Sequence, residues 1–444
     1  MCNLSPEILS LIGILVGVAV FIVVSFMGFD IKVVALLSAA VVALFSGLNP
    51  YQALTEFFMP GAAGVVSSYF MLFTFSAIFA RLIGESGAAA SIAFKITRLA
   101  RNAKNIETQR FLAVLTLPLV NAIITMGGVN VFVVTFIMVG LARPLFKELD
   151  IPWWLYTCNS LGSSTFTIGM MPGSPQMQNL IPQDTFGTTP MAAPVLGILC
   201  ACLTMGLGSC YIMYQVRRTS KKGEGFMPTG EVIDKENLTA PNIEEMPLWK
   251  ALLPMIVLLI VLNGLEQPAP LALLVAIIVA YLLYDPRKLN IKKMLTDGMT
   301  AGLIPLFGLA CATGFGKVVS NVSGFTTITD SLAVLGTGAF SIVIIVNVCS
   351  GICGSASSGE NIALAAFGDR FIASGIPGEQ LHRLVAMSST GLDTLPHSAG
   401  IVTALTVSKL THKQAYINNF VLSVVLPIVM SFVAAALISV GFYF

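Results

Sequence analysis

Charge is what this 444-residue chain has least of. Only 10% of its residues are Asp, Glu, Lys or Arg, against about 25% in an average soluble protein. So few charges cannot make a water-facing shell around the 56% that are hydrophobic. The charges also nearly cancel: 24 Lys and Arg against 22 Asp and Glu leave +2, which provides no electrostatic footprint for nucleic acid. With three His in all, no H-E-x-x-H zinc-protease motif occurs. No G-x-x-x-x-G-K-[ST] phosphate loop occurs either; the nearest approach, Gly316-Lys317, lacks the first Gly and the Ser or Thr. ATP-driven pumping and zinc proteolysis fall away as hypotheses. The eight Cys lie mostly in apolar stretches, and the pairs Cys200/Cys202 and Cys349/Cys353 have no His at metal-ligand spacing. They read as small apolar residues, with no resident metal or cofactor expected.

What the chain has instead is long apolar runs, each sufficient for the roughly 20 helical residues that cross about 30 Å of hydrocarbon. The fold class is therefore an all-α polytopic membrane protein. The first run, 8–29, follows Glu7 and no Lys or Arg, so it lacks the basic flank of a cleaved signal peptide and is expected to stay as a membrane helix.

Lys and Arg in short loops tend to remain cytoplasmic, and four clusters set the topology. They are Lys95, Arg98, Arg101, Lys104 and Arg110; Arg143 and Lys147; Arg217, Arg218, Lys221 and Lys222; and Arg287, Lys288, Lys292 and Lys293. All are cytoplasmic if 110–143 is a re-entrant hairpin turning at Gly127-Gly128, and if 152–176 is a crossing broken at Gly169-Met-Met-Pro-Gly-Ser-Pro175. A polar cytoplasmic linker then spans 216–247. Downstream, a second re-entrant hairpin covers about 337–367, a broken crossing about 383–408, and the chain exits through 416–443. The count is ten crossings and two hairpins, with both termini outside a bacterial inner membrane. In this scheme Arg370, His382 and Arg383 lie outside, against the rule.

An internal repeat gives a second route to the architecture. Phe79-Ala-Arg-Leu-Ile83, ahead of Ser86-Gly87, resembles Phe315-Gly-Lys-Val-Val319, ahead of Ser323-Gly324. Ile151-Pro152 precedes Ser163-Ser-Thr165 and Pro172, as Ile376-Pro377 precedes Ser388-Ser-Thr390 and Pro396, with the same Pro-to-Ser spacing. Five crossings and one hairpin per copy make the repeats, 1–215 and 248–444, inverted. Inverted repeats with interrupted helices are the pattern of secondary transporters.

Where interrupted segments meet near the midplane, Gly admits close backbone approach, and hydroxyls and amides satisfy broken backbone. The expected substrate contacts are Gly127, Gly128 and Asn130 at one hairpin tip and Gly354, Ser355, Ser357, Ser358 and Asn361 at the other. The breaks add Ser163, Ser164 and Thr165, Gly173 and Ser174, and Thr394. Free N–H groups at half-helix N-termini favour an anion, so the expected ligand is a small carboxylate. Asp393 and His397, four apart beside Pro396 inside an apolar crossing, are candidates for proton coupling, since ionisable groups there usually line a binding site or proton path. The alternative is that Asp393 caps a half-helix and His397 bonds a carbonyl. Glu360 reads either as a coupling acid or as a first-turn residue stabilising its helix. Arg81 and Lys317 either attract the anion or snorkel to the interface. The Ser-Ser-Thr sets either coordinate an ion such as Na⁺ or mediate helix contacts.

At these residues the chain resembles the gluconate permease family of the wider ion-transporter superfamily. The resemblance is carried by Gly354-Ser-Ala-Ser-Ser-Gly359, Leu381-His382-Arg383, Gly391-Leu-Asp-Thr-Leu-Pro-His397 and Leu410-Thr-His-Lys-Gln414. In the first half Gly127-Gly-Val-Asn-Val-Phe132, Pro172-Gly-Ser-Pro-Gln176 and Phe186-Gly-Thr-Thr189 are similar to a less studied branch. The resemblance implies proton-coupled uptake of gluconate or a short hydroxy acid such as 3-hydroxybutyrate, with a scaffold domain, a mobile transport domain and a homodimer. The chain departs from the family at Met171-Pro-Gly-Ser-Pro175 and at Glu360-Asn361. Three rivals stand beside this reading: a Na⁺-coupled di- or tricarboxylate symporter of the same build, a passive anion channel, and a membrane enzyme using Asp393, His397 and a nearby Ser.

Overall fold

A computed structural model describes residues 5–443 except positions 28, 90, 93, 94, 96, 97, 99–102, 104, 130, 168, 236–245, 285–289, 334, 335, 337 and 397. Asn130, His397, Arg101, Lys104, Arg287 and Lys288 therefore lie outside the described residues. Among the described residues the regular structure is all helical. In chain order the helices are α1 (Pro6–Phe26), α2 (Ile31–Phe45), α3 (Pro50–Glu85), α4 (Ile106–Met126), α5 (Val131–Glu148) and α6 (Met177–Phe186). Then come α7 (Pro194–Lys222), the short α8 (Glu231–Lys235), α9 (Leu248–Gly264), α10 (Ala269–Leu283), α11 (Ile291–Ser320) and α12 (Ser323–Ala333). The last five are α13 (Ala339–Cys353), α14 (Ala356–Ile372), α15 (Gly378–Ser388), α16 (Ala399–Ser408) and α17 (His412–Ser439). Six of these, α1, α3, α4, α7, α11 and α17, are long and apolar enough to cross a membrane.

The helices α3 and α11 form the closest long pair, and small residues explain why. A Cβ added to Gly298 would strike Ile78, one on Gly302 would strike the Phe73 and Thr74 backbone, and one on Gly314 would strike Phe58. Rising numbers on α11 meet falling numbers on α3, so the pair is antiparallel. Glycine at such contacts lets backbones approach where no hydrophobic force drives association in lipid.

Two helix–turn–helix units follow the breaks in the sequence. The first, α4–α5, turns at Gly127 and Gly128, the latter at φ +92°. The second, α13–α14, turns at Gly354 (φ +57°), and Ser355 then caps α14 by accepting the Ser358 N–H. Two interrupted segments complete the pattern. One runs as a 3₁₀ turn (Trp153–Asn159), one α turn and a wide π turn (Ser163–Thr167) before the chain opens ahead of α6. The other opens between α15 and α16 around the 3₁₀ turn Leu392–Thr394. They cross where Gly169 meets the Ala386 backbone, so closely that a Cβ on Gly169 has no room.

What holds the first interrupted segment in place comes from the second. Arg383 of α15 is fully buried and donates five hydrogen bonds: to Gly169 O, Pro190 O, Ala192 O twice, and Asn179 Oδ1. Next to it, buried His382 meets Thr188 Oγ1 at 2.6 Å and Asn179 Oδ1 at 3.3 Å. Neither residue is the exposed loop charge that the orientation rule counts, which explains why both offended it. The first segment is also stitched to α17 and the end of α16: Trp153 Nε1 donates to Ser408 O, Thr157 Oγ1 to Ala415 O and Ser164 Oγ to Leu422 O.

The polar linker is tied down at several points, by Phe226, whose N–H donates to Asp150 Oδ1 and whose ring packs on Trp153, by Met246, whose N–H donates to Ser91 Oγ, and by an ion-pair clamp. Asp234 of α8 pairs with Lys147 Nζ at 2.7 Å and Arg143 Nη2 at 3.3 Å, both on α5. The Lys147 hydrogen bond, and after it the Arg143 contacts, hold the Asp234 carboxyl below its ordinary value of 3.8 against a smaller opposing effect of desolvation.

Two outcomes follow. Arg383→Lys replaces a five-donor fork by three mobile donors, and at about 1–3 kcal/mol per buried acceptor left unsatisfied it should destabilise the protein by roughly 2–4 kcal/mol; an unchanged melting temperature in detergent would contradict this. Asp234→Asn should speed tryptic cleavage at Lys235 at neutral pH. In the unmodified chain the clamp is complete above the ordinary aspartate value and fades as pH falls through the depressed one, so a cleavage rate indifferent to the substitution would count against it.

Candidate functional site

The two interrupted segments, the second hairpin tip and the α3–α11 pair enclose a cavity of about 1040 Å³. Three helix N-termini open onto it. The end of α6 contributes Gln176, Met177 and Gln178, the end of α14 Ser355, Ala356 and Ser357, and the end of α16 Ser398 and Gly400. A helix start leaves N–H groups without intrahelical partners, and at α6 and α16 no side chain caps them. Gln176, at the cap position of α6, turns elsewhere and donates to Thr125 O and Val129 O at the first hairpin turn.

The cavity's charges sit at one end and are already matched. Arg81 pairs with Glu85 at 3.0 Å and Asp297 at 3.2 Å, and Lys32 pairs with Asp30 at 2.7 Å. At the other end Asp393 faces the cavity, 6% exposed, with one carboxyl oxygen lacking a partner among the described residues. Its segment is held by neighbours: Thr394 Oγ1 donates to Ser423 O, Tyr416 OH donates to Thr394 O, and His412 Nε2 meets Pro396 O. Asn159 Oδ1, Ser160 Oγ and Asn419 Nδ2 are buried without partners among the described residues, and all three residues line the cavity.

Of the residues expected from sequence, Ser163, Ser164, Gly354, Ser355, Ser357, Asp393 and Thr394 line this cavity, as does Arg81. Others do not. Gly127 and Gly128 are pressed against Met255, Leu258 and Leu273 of α9 and α10, where a Cβ would collide. Gly173 packs on Met191 and Asn263 and gives its carbonyl to Asn263 Nδ2. Ser174 is buried at the turn before α6, and its hydroxyl accepts the Gln176 N–H. Thr165 is buried with its hydroxyl unpartnered. Ser358 meets Thr313 of α11, and Asn361 bonds back to Ser357 O. Glu360 is buried behind the second hairpin, away from the cavity lining. Lys317 is exposed, and of the set Ser388, Ser389 and Thr390 only Thr390 lines the cavity, while all three hydroxyls bond back to carbonyls of their own segment.

The lining residues that the sequence reading missed are Gln176, Gln178, Asn159, Ser160, Ser398, Asn419 and Ser423. Gln176 closes the motif Pro172-Gly-Ser-Pro-Gln176, and polar amides inside apolar crossings were the one signal that could have singled out Asn159 and Asn419.

No protein-family model matches the chain. Among curated proteins it is 30% identical, over 471 aligned positions covering 94% of this chain and 96% of that protein, to the uncharacterized transporter YxjC of Bacillus subtilis (strain 168). A helical chain with spans of membrane length and two interrupted segments around one cavity thus matches a transporter almost end to end, and the chain belongs to the family of that transporter.

Proposed function

We propose that the protein is a secondary active transporter of the gluconate permease type, carrying a small organic hydroxy-carboxylate such as gluconate or 3-hydroxybutyrate into the cell with H⁺ by alternating access. The observation that carries this reading is the convergence of three helix N-termini on one cavity whose basic side chains are already paired. Each N-terminus favours negative charge by about 0.3–1 kcal/mol. Three together contribute on the order of 1–3 kcal/mol, roughly a fivefold to 150-fold preference for a carboxylate over its neutral analogue. Hydroxyls and amides along the wall suit the hydroxyl groups of the substrate. Asp393 supplies the link to protons: ionised, it repels the carboxylate in the same cavity, and protonated, it does not. Asp393 therefore gives up its proton and the substrate its place together.

The architecture proposed with this function is an inverted repeat, 1–215 and 248–444, with re-entrant hairpins α4–α5 and α13–α14, a scaffold domain and a transport domain, paired as a homodimer in the inner membrane. The antiparallel α3–α11 pair, whose members carry the matching Phe79 and Phe315 motifs, supports the repeat. The first hairpin tip meets Met255 and Leu258 in the middle of α9, which supports entry to membrane depth, although α4 with 21 residues is long enough to cross by itself. His397 and Asn130 stay in the proposal on sequence grounds alone.

A second reading, Na⁺ coupling, is favoured by the unpartnered oxygens of Asn159 and Ser160 at the cavity wall. Uptake into proteoliposomes separates the two. An inward proton gradient should drive accumulation of hydroxy acids with choline in place of Na⁺, and Asp393→Asn should cut that accumulation at least about tenfold with the melting temperature preserved. Hydroxy acids, and not their amides, should raise the melting temperature. Accumulation that needs Na⁺ and ignores the Asp393 substitution would favour the alternative ion.

A further inference from the structure

Glu360 occupies a different place from Asp393. It lies in the second turn of α14, past the first-turn position where the sequence alternative would have it stabilise the helix start, and on the side away from the cavity; it is fully buried, and neither carboxyl oxygen has a hydrogen-bond partner among the described residues. On the next residue, Asn361 Nδ2 donates to Ser357 O, and Ser357 lines the cavity. The Tyr69 hydroxyl of α3 is close enough to Glu360 to interact with it electrostatically. From α11, Thr313 Oγ1 meets Ser358 Oγ at 3.1 Å.

Across from Glu360 is Arg383, close enough to interact electrostatically but not ion-paired with it. The guanidinium instead spends all five of its hydrogen bonds on neutral oxygens of the first interrupted segment and Asn179. An ionised carboxylate without donors in a dry site is costly, and the same group carrying a proton is far less so. An ionised Glu360 would pull on the guanidinium of Arg383, the cation that it interacts with, and so draw it off the carbonyls it now holds.

We infer that Glu360 is a proton-loading site on the second hairpin, separate from the cavity, whose charge state is read by Arg383. Loaded, the neutral acid leaves Arg383 on Gly169, Pro190 and Ala192, and α6 keeps its N-terminus on the cavity. Unloaded, the carboxylate competes for the guanidinium and slackens that segment. The elements packed on α14 carry few other groups that could take its place. These are Asp184 of α6, Cys349 and Cys353 of α13, and Glu379 and His382 of α15, with Asp393 beyond in the second break. Lys317 of α11 is exposed. This rests on the proton-symport reading above and sharpens it.

The test uses the full-length protein in proteoliposomes with two readouts. In an Asp393→Asn background, which removes the other buried acid, infrared difference spectra at neutral pH should show a protonated-carboxylic-acid band that Glu360→Gln removes and Glu360→Asp retains. Glu360→Gln should keep substrate-induced melting shifts and substrate exchange across the membrane, but lose pH-gradient-driven accumulation at least about tenfold, with a flattened pH profile. A helix-stabilising glutamate would lower the melting temperature and leave the pH profile alone. A band that persists in Glu360→Gln, or pH-driven accumulation equal to the unmodified protein's, overturns the inference. An unmodified protein that ignores the pH gradient sinks the symport reading instead, and the infrared band still decides the protonation of Glu360.

Discussion

One buried guanidinium sets the shape of the site. Backbone that leaves the helix at membrane depth exposes carbonyls with no water to meet them, so the break survives only where protein donors replace the lost ones. Arg383 supplies five donors to the 169–192 segment from a position more than 190 residues away. A lysine at the same place would offer a point charge without the planar fork. With the segment held, α6 starts where Gln176 can reach back to the Thr125 and Val129 carbonyls, and its open N-terminus faces the cavity. The geometry of the anion-favouring wall is thus a consequence of hydrogen bonding behind it.

The same logic bears on how the cavity can favour negative charge while the basic residues in its described lining are already paired. A free cation in an apolar site binds an anion strongly and releases it reluctantly. Partial charges at helix ends are smaller and do not move. The full positive charges at the cavity, Arg81 and Lys32, are neutralised by Glu85, Asp297 and Asp30 at its edge, where they shape the entrance more than the grip.

The spans and their interruptions were legible in the sequence because hydropathy and Gly/Pro placement act locally. The apolar runs, the turns at Gly127-Gly128 and Gly354, and the openings near Pro172 and Pro396 all appear as helix ends or gaps within a few residues of where composition puts them. What local pattern cannot give is which face a turn presents. Gly127 and Gly128 looked like a ligand loop and are instead the contact that lets α4–α5 lie against Leu258 and Leu273. Arg383 and His382 looked like misplaced loop charges, since their partners at Gly169 and Thr188 lie in another part of the chain. Asn159 and Asn419 belong to the site through tertiary packing alone.

The distribution of cross-links also says where motion can occur. The first interrupted segment is tied to the second by Arg383 and to α16 and α17 by Trp153, Thr157 and Ser164, so the two breaks cannot separate without losing several buried hydrogen bonds at about 1–3 kcal/mol each. Facing them across the cavity, α3 and α11 contribute mainly Phe73, Ala77, Ala80, Ala301, Ile304 and Gly308, a smooth apolar wall that makes few directional bonds. The polar body carries the helix ends and Asp393, and the opposite wall carries little that would resist sliding. Any displacement of one break past α3–α11 would therefore carry the other with it. Glu360 of α14, close enough to Tyr69 of α3 to interact with it electrostatically, would let a single charge be felt on both sides of that boundary.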